Sequence, residues 1–229
     1  MTRTQASAAV ELIGWRLLFG CLAASVPVPS MHRGLEVAAL AGAACADDAD
    51  DHLRIDVRSD HVEMVLQTKA SGNVTQRDVE LAHRIADAIR DARLSIVTPL
   101  TQADAPTMRP VQSIELGIDA LDIAAIRPFW KAVLAYVDEP GTDEPNVIVD
   151  PLSQGPAVWF QQMNAPRPQR NRIHFDVTVS HEEAPRRIQA ALDAGGILLS
   201  DAAARSWWVL ADAEGNEICV CTWQDRDPT

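Results

Sequence analysis

The chain has 229 residues, of which 47% are hydrophobic, and these values are ordinary for a globular protein of one or two domains. It carries 32 acidic and 20 basic side chains, so its formal net charge is −12. This negative average repels polyanions, and we therefore expect no nucleic acid and no anionic membrane among the partners of this protein.

The apolar stretch over residues 12–26 has some of the character of a secretion signal, but Arg16 interrupts it and Glu11 lies just ahead of it. Both charges disfavour a signal peptide. No stretch of the sequence approaches the roughly 18 to 20 apolar residues of a membrane span. Four cysteines occur without CxxC spacing, at positions 21, 45, 219 and 221. We therefore expect reduced thiols in a cytoplasmic protein.

In chain order, residues 10–94 come first, and they predict a unit that mixes helices and strands. The predicted elements are a strand over 15–18, a helix over 31–47, a strand pair over 55–58 and 61–68, and a helix that begins at Thr75. In the second strand of the pair, Val62, Met64 and Leu66 alternate with polar residues, which is the period of a half-buried strand. Thr75 can cap the last helix, and Asp78 can reach back to the cap amide.

Residues 95–110 carry three prolines among Thr, Gln, Ala and Asp, which is the composition of a linker. We therefore predict two domains, over residues 10–94 and 111–224, with separate cores. This boundary depends on the change of composition and on the independent pattern of apolar residues on each side.

Residues 111–224 contain a weak internal repeat in which one strand, one helix and three strands occur twice. The predicted elements are strands over 111–118, 146–149 and 156–163 with a helix over 121–134, then strands over 172–179, 197–199, 207–211 and 217–223 with a helix over 182–194. One strand of the first copy has no clear pattern. The predicted fold class is α+β, with an antiparallel sheet and helices in the first domain and a paired βαβββ arrangement in the second.

The first half contains an ordered set of short motifs. They are Asp47, Asp51-His52-Leu53, Thr68-Lys69, Gly72-Asn73 and Thr75-Gln76-Arg77-Asp78. This frame resembles the core of the pterin-4a-carbinolamine dehydratases, which remove water from a 4a-hydroxytetrahydropterin. The resemblance implies a hydro-lyase with a pterin-like small-molecule substrate, and it favours a homodimer.

Two of the three active-site histidine positions of that family hold other residues here. Asp51 and Lys69 occupy them, and His52 is retained. The resemblance implies that His52, Asp51, Asp47 and Lys69 meet in one cleft, where histidine suits proton transfer near neutral pH. From the residues alone, the alternative is a solvated acidic helix end with His52 on its surface.

The second half also carries a set of motifs in a characteristic order. They are Phe129-Trp130, Asp150 with Gly155-Pro156, Asn171-Arg172-Ile173-His174-Phe175-Asp176, and Asp212-x-x-Gly215-Asn216-Glu217. This order resembles the glyoxalase-like branch of the vicinal-oxygen-chelate superfamily. Metal-dependent members have one ligand on each of four strands, and the resemblance implies ligand positions at Glu115, at Phe160 or Gln161, at His174 and at Cys219.

Three of these four positions hold side chains that can bind a divalent ion, and Phe160 cannot. We therefore predict that Glu115, His174 and Cys219 face one cavity and form a candidate divalent-metal site. The alternative is that His174 is a core histidine and Cys219 a small buried apolar residue.

Three functions compete at this stage. The first is a dehydratase-like hydro-lyase that carries a glyoxalase-like domain. The second is a non-catalytic protein that binds a small ligand. The third is a metal-dependent lyase, isomerase or dioxygenase that acts at the C-terminal domain.

Overall fold

The computed structural model describes residues 1–18, 20–97, 111–141, 146–166, 173, 175–222 and 224–225. The chain folds into two compact units, the first formed chiefly by Met1–Ser113 and the second chiefly by the residues from Ile114 onward. Among the helices of these described ranges, none combines the length and the apolar character that crossing a bilayer requires.

The first unit is a four-stranded antiparallel sheet with helices packed on it. Its strands, in chain order, are β1 Arg16–Leu18, β2 Cys21–Pro27, β3 Leu53–Val57 and β4 His61–Leu66. Its helices are α1 Arg3–Val10, α2 Met31–Cys45, α3 Ala49–His52 and α4 Gln76–Asp91. The strand order is β1-β2-β4-β3, and every neighbouring pair is antiparallel.

Strand β2 is a central strand that the sequence pattern did not predict. Its five inner residues, 22–26, are all buried, so the strand has no polar face and no alternation. A short apolar run of this kind is compatible with a buried strand or a buried helix, and periodicity cannot distinguish them. The structure therefore shows that the apolar stretch over residues 12–26 includes a core strand of this unit.

Helix α4 begins as the sequence predicts. Thr75 is its N-cap, and the hydroxyl of Thr75 and the carboxylate of Asp78 form a reciprocal capping box with the backbone. The apolar stripe of α4 is buried against the sheet, and its members are Val79, Leu81, Ala82, Ile85, Ala86 and Ile89. The helix thus combines a satisfied N-terminus with one apolar face, which is how most helices in globular proteins are stabilised.

The first unit extends beyond both predicted boundaries. Val10 on α1 is fully buried, and Ala6 is 2% exposed, so residues before position 10 belong to the core. Ile96, which the composition placed in a linker, is buried in the same core, and the Val97 amide donates to the Ser25 carbonyl at 2.8 Å. Of the predicted linker, residues 98–110 lie outside the described part of the chain.

The second unit contains the predicted βαβββ repeat in full. The first copy is β5 Glu115–Ala120, α5 Ile123–Leu134, β6 Val137–Asp138, β7 Val147–Val149 and β8 Ala157–Gln162. The second copy is β9 Asp176–Thr178, α6 Ala184–Asp193, β10 Ile197–Ser200, β11 Trp207–Ala211 and β12 Glu217–Cys221. The strand missing from the sequence pattern is β6, which has only two residues, both exposed.

The two copies have the same connectivity. Their strand orders are β5-β8-β7-β6 and β9-β12-β11-β10, and in each copy the first strand pairs with the last in parallel. An equivalent aspartate precedes the last strand of each copy. Asp150 accepts hydrogen bonds from the amides of Leu152, Gln154 and Gly155. The carboxylates of Asp150 and, in the second copy, Asp212 both satisfy backbone amides of a turn. This explains why both motifs have Asp at that position.

Asp212 is the aspartate of the second copy and is fully buried. It accepts from the amides of Glu214 and Asn216 at 2.9 Å, and from the indole nitrogen of Trp130 at 2.9 Å. One side chain therefore fixes the turn between β11 and β12 and also anchors helix α5. Trp130 is 2% exposed, so its N–H needs such a partner in the core.

Candidate functional site

The candidate site of the first unit lies where three local structures meet. Helix α3 ends at His52, the chain after β4 forms an isolated bridge between Thr68 and Asn73, and helix α4 has Thr75 as its N-cap. The main-chain N–H of Gln67 donates to the His52 carbonyl at 3.0 Å, and the main-chain N–H of Lys69 donates to the Asp51 carbonyl at 3.0 Å. These backbone bonds hold the end of α3 against the end of β4.

His52 is held by a buried carboxylate. Its Nδ1 lies 2.8 Å from Oδ1 of Asp78, and the side chains of His52 and Asp78 are 11% and 0% exposed. A carboxylate only accepts hydrogen bonds, so this contact fixes the Nδ1 proton towards Asp78 and leaves Nε2 for a substrate.

The other oxygen of Asp78 is also fully used. Oδ2 accepts from the hydroxyls of Thr68 at 2.8 Å and Thr75 at 2.9 Å, and from the Thr75 amide at 2.7 Å. The Thr68 hydroxyl lies 3.3 Å from Nδ1 of His52 as well. A buried charge is tolerated only with such partners, so the network orients the imidazole rigidly.

The predicted residues are placed as follows. Lys69 lies beside His52 along the backbone, and its ammonium donates to the carbonyl of Asp50. Asp47 and Asp51 are exposed, as is Lys69. The described side-chain contacts of His52 are with Asp78 and Thr68. The main-chain bond from Lys69 to Asp51 places Lys69 beside the end of α3, and the convergence of the four side chains on one cleft stays a prediction.

Sequence reasoning missed the role of Asp78 at this site and assigned no specific role to Asp48. Asp78 was predicted only as a capping residue, although its place in the Thr75-x-x-Asp78 motif was recognised. Asp48 lies 2.5 Å from the guanidinium of Arg77. The hydrogen bond from Arg77 lowers the pKa of Asp48, and the nearby charge of His52 contributes a smaller lowering. A charged carboxylate therefore lies near the imidazole.

The first unit is similar to a known family of proteins. Residues 1–88 match the family model of pterin 4 alpha carbinolamine dehydratase. A Mycolicibacterium smegmatis protein named "Putative pterin-4-alpha-carbinolamine dehydratase" is 34% identical over 92 residues, which are 40% of this chain and 97% of that protein. The chain belongs to the pterin-4a-carbinolamine dehydratase family. A protein of the same name from Mycobacterium avium is 36% identical over 86 residues, covering 37% of this chain and 90% of its own length.

We call the first unit the dehydratase unit after this family, and the second unit, described next, the glyoxalase-like unit. Residues 115–221 match the family model of a glyoxalase-like domain. A glyoxalase-related enzyme from Fulvimarina pelagi is 20% identical to this chain. The structural match covers 50% of this chain and 88% of that enzyme, with a TM-score of 0.36. The fosfomycin resistance protein FosX from Mesorhizobium loti is 9% identical, covers 50% of this chain and 92% of its own, and has a TM-score of 0.38.

The predicted metal residues of the glyoxalase-like unit lie on strands whose other face packs in the core. Glu115 is exposed on β5, whereas Ile118 is buried. Cys219 is half-buried on β12 and is paired in register with Asp176 of β9. A cavity of about 690 Å³ lies in this unit, but its walls include Leu116 and Ile218 rather than Glu115 and Cys219. The predicted alternation is present, and the cavity is on the opposite face.

The donor groups of the described strands fit a divalent ion poorly. Phe160, at the second ligand position, is 3% exposed in the core. Burial, and then the charge of Asp176, raise the pKa of the Cys219 thiol to about 11, whereas a thiolate is the form that binds metal. His174 lies outside the described residues. Within the described part of the chain, no three His, Cys, Asp or Glu side chains are grouped as a metal site, and the metal site stays a prediction.

The raised pKa of Cys219 predicts a pH dependence of its reactivity. The ordinary pKa of a cysteine thiol is 9.0, and in the folded chain that of Cys219 is about 11. Its alkylation by iodoacetamide should therefore rise roughly tenfold per pH unit up to about pH 11 instead of levelling off near pH 9. Mass spectrometry of the modified peptide measures this, with Cys219→Ser as the control. A plateau near pH 9 would contradict the burial of this thiol.

The same shift predicts a change of stability with pH. The folded state holds the Cys219 proton more tightly than the unfolded state, so the protonated thiol contributes to the free energy of unfolding. This contribution is complete below pH 9. It is lost as the pH rises through the folded-state pKa of about 11. Between these values, the free energy of unfolding should fall more steeply in the natural chain than in Cys219→Ser, as measured by urea titration at each pH.

Proposed function

We propose that the dehydratase unit removes water from a 4a-hydroxytetrahydropterin, with His52 as the group that transfers the proton. The observation that carries this proposal is the 2.8 Å contact between His52 Nδ1 and the fully buried Asp78. Such a carboxylate keeps the imidazole in one orientation, as in other acid–base sites of enzymes.

The proposed step needs one acid and one base. The protonated imidazole donates from Nε2 to the hydroxyl on C4a, the C4a–O bond breaks, and water leaves. The electron pair of the adjacent ring nitrogen forms the double bond to C4a, and the proton of that nitrogen returns to Nε2. The protonated imidazole is thereby restored, so a single histidine can serve both halves of the step.

The other two histidine positions of the family cannot repeat this chemistry in the same way. The ammonium of Lys69 already donates to the Asp50 carbonyl, and Asp51 is exposed. A lysine transfers protons well near neutral pH only when it is desolvated. We therefore expect turnover that depends on His52 and that is lower than in relatives with all three histidines.

The test is a dehydration assay of the full chain with a 4a-hydroxytetrahydropterin generated in place. The expected result is loss of the 4a-hydroxy absorbance that is faster than the spontaneous reaction and proportional to protein concentration. A rate equal to the spontaneous one, in protein that still binds the pterin, would reject catalysis and favour a non-catalytic binding protein. A protein that neither binds nor reacts would reject the pterin assignment altogether.

A further inference from the structure

The glyoxalase-like unit contains a cavity of about 690 Å³ on the helix side of its sheets, which we call the helix-side cavity. Trp130 and Leu134 of α5 and Arg187 of α6 form one part of its wall. Its size lies within the range of about 300 to 1,000 Å³ that is typical of small-molecule sites. The cavity is separate from the predicted metal residues Glu115 and Cys219, which do not line it.

Most of the wall is apolar. The strands contribute side chains from the face that packs in the core, namely Leu116, Ile118, Val158, Val177 and Ile218. Trp130 and Phe175 line it together, with their rings edge to face and their centroids 6.0 Å apart. Such a surface offers water few hydrogen bonds, so an apolar occupant is favoured over solvent.

Two charged groups in the wall, Arg187 and Asp150, already have partners within the protein. Arg187 donates to the carboxylate of Glu183 and to a main-chain carbonyl of α5. Asp150 accepts from three backbone amides of its own turn. Asp176 is paired in register with Cys219 of β12, and its negative charge disfavours an anionic ligand. An ionic ligand would have to compete with these bonds, and burying its charge without a free counter-charge is costly. The wall therefore favours an uncharged ligand.

Tyr136 adds one polar group to the wall. Burial, and then the charge of Asp150, raise the pKa of its hydroxyl, so the group is a donor at neutral pH. Gly155 makes room for this hydroxyl, because a Cβ there would lie 2.1 Å from the Tyr136 oxygen. A ligand with a carbonyl or ether oxygen can accept this hydrogen bond.

We infer that the helix-side cavity binds an uncharged, mainly apolar ring compound that carries an oxygen acceptor for Tyr136. The site is independent of the dehydratase reaction, since the residues that define it all belong to the glyoxalase-like unit. A ligand of this class fills the apolar wall with its rings and accepts the hydrogen bond that the tyrosine hydroxyl offers.

The test uses prodan, a neutral naphthalene with a ketone whose emission reports on its surroundings. We expect saturable binding with a blue-shifted emission and a stoichiometry of one per chain. Leu116→Trp should weaken binding at least roughly tenfold by filling the cavity, whereas Leu121→Trp should leave it unchanged, because Leu121 is 40% exposed and does not line the cavity. Ile218→Phe fills the cavity from another strand if Leu116→Trp fails to fold.

Two further measurements define the ligand class. Tyr136→Phe should weaken prodan roughly two- to tenfold, the effect of one hydrogen bond. The anionic dye 8-anilinonaphthalene-1-sulfonate should bind more weakly than prodan in the natural chain. Absence of saturable prodan binding, or equal binding by folded Leu116→Trp and the natural chain, would overturn the proposal. Tighter binding of the anionic dye would overturn the assignment of an uncharged ligand.

Discussion

Replacing His52 with alanine should lower dehydratase turnover by at least about 100-fold, because general acid–base catalysis by one positioned group contributes roughly 10²- to 10⁴-fold. His52 is the residue that we propose transfers the proton, and its Nδ1 lies 2.8 Å from Asp78 Oδ1. The measurement is the dehydration rate above the spontaneous rate, at pterin concentrations that saturate the natural chain. The apparent affinity for the pterin should change much less than the turnover.

His32→Ala is the matched control for this experiment. The His32 side chain is 86% exposed on helix α2 and pairs with Glu36, so its removal should leave turnover unchanged. Circular dichroism should show both variants folded. Turnover in folded His52→Ala equal to that of the natural chain would exclude His52 from the mechanism, even if the chain remains a dehydratase.

Replacing Asp78 with alanine should destabilise the dehydratase unit by about 3 kcal/mol, because buried donors lose their acceptor at a cost of about 1 to 3 kcal/mol each. The donors that lose this acceptor are the Thr68 hydroxyl, the Thr75 hydroxyl, the Thr75 amide and His52 Nδ1, although the two hydroxyls lie 2.8 Å apart and can still bond to each other. Hydrogen exchange of the amides in α4 measures this unit alone. Those amides should exchange more than roughly 100-fold faster in the variant, in proportion to the lost free energy.

Asp87→Ala is the control, since Asp87 lies on the same helix but is 59% exposed and pairs only with Arg90 in the contacts described for its helix. Its effect should stay below about 1 kcal/mol, as for other exposed ion pairs. Asp78→Asn separates stability from catalysis: it preserves the size of the side chain but removes the carboxylate that holds the His52 ring. Equal exchange rates in Asp78→Ala and Asp87→Ala would show that the network does not hold α4.

Several elements were predictable because their signals are local. The capping box of Thr75 and Asp78 and the apolar stripe of α4 depend on spacings of three and four residues, and both are as predicted. The repeat of the second half was also visible, since each copy carries an aspartate turn before its last strand. Strand β2 was not predicted, because a run that is buried throughout has no period.

The role of Asp78 illustrates the limit of such signals. As a cap, it needs only its own helix, and the sequence is sufficient to assign it. As the partner of His52, it needs the end of α3, which is 26 residues away along the chain, to lie beside the end of β4 and the start of α4. Pairing of β3 with β4, and the bonds from Gln67 to His52 and from Lys69 to Asp51, create that meeting point.

The sequence by itself determined the family of the first half, the class of both folds and the alternation of faces on β5 and β12. Only the tertiary structure decided which face of those strands borders a cavity, because alternation fixes two opposite faces without saying what packs on each. Helices α5 and α6 lie on the face of Leu116 and Ile218, and the cavity is formed there. The environment of His52 was decided in the same way, by contacts between segments that are distant in the chain.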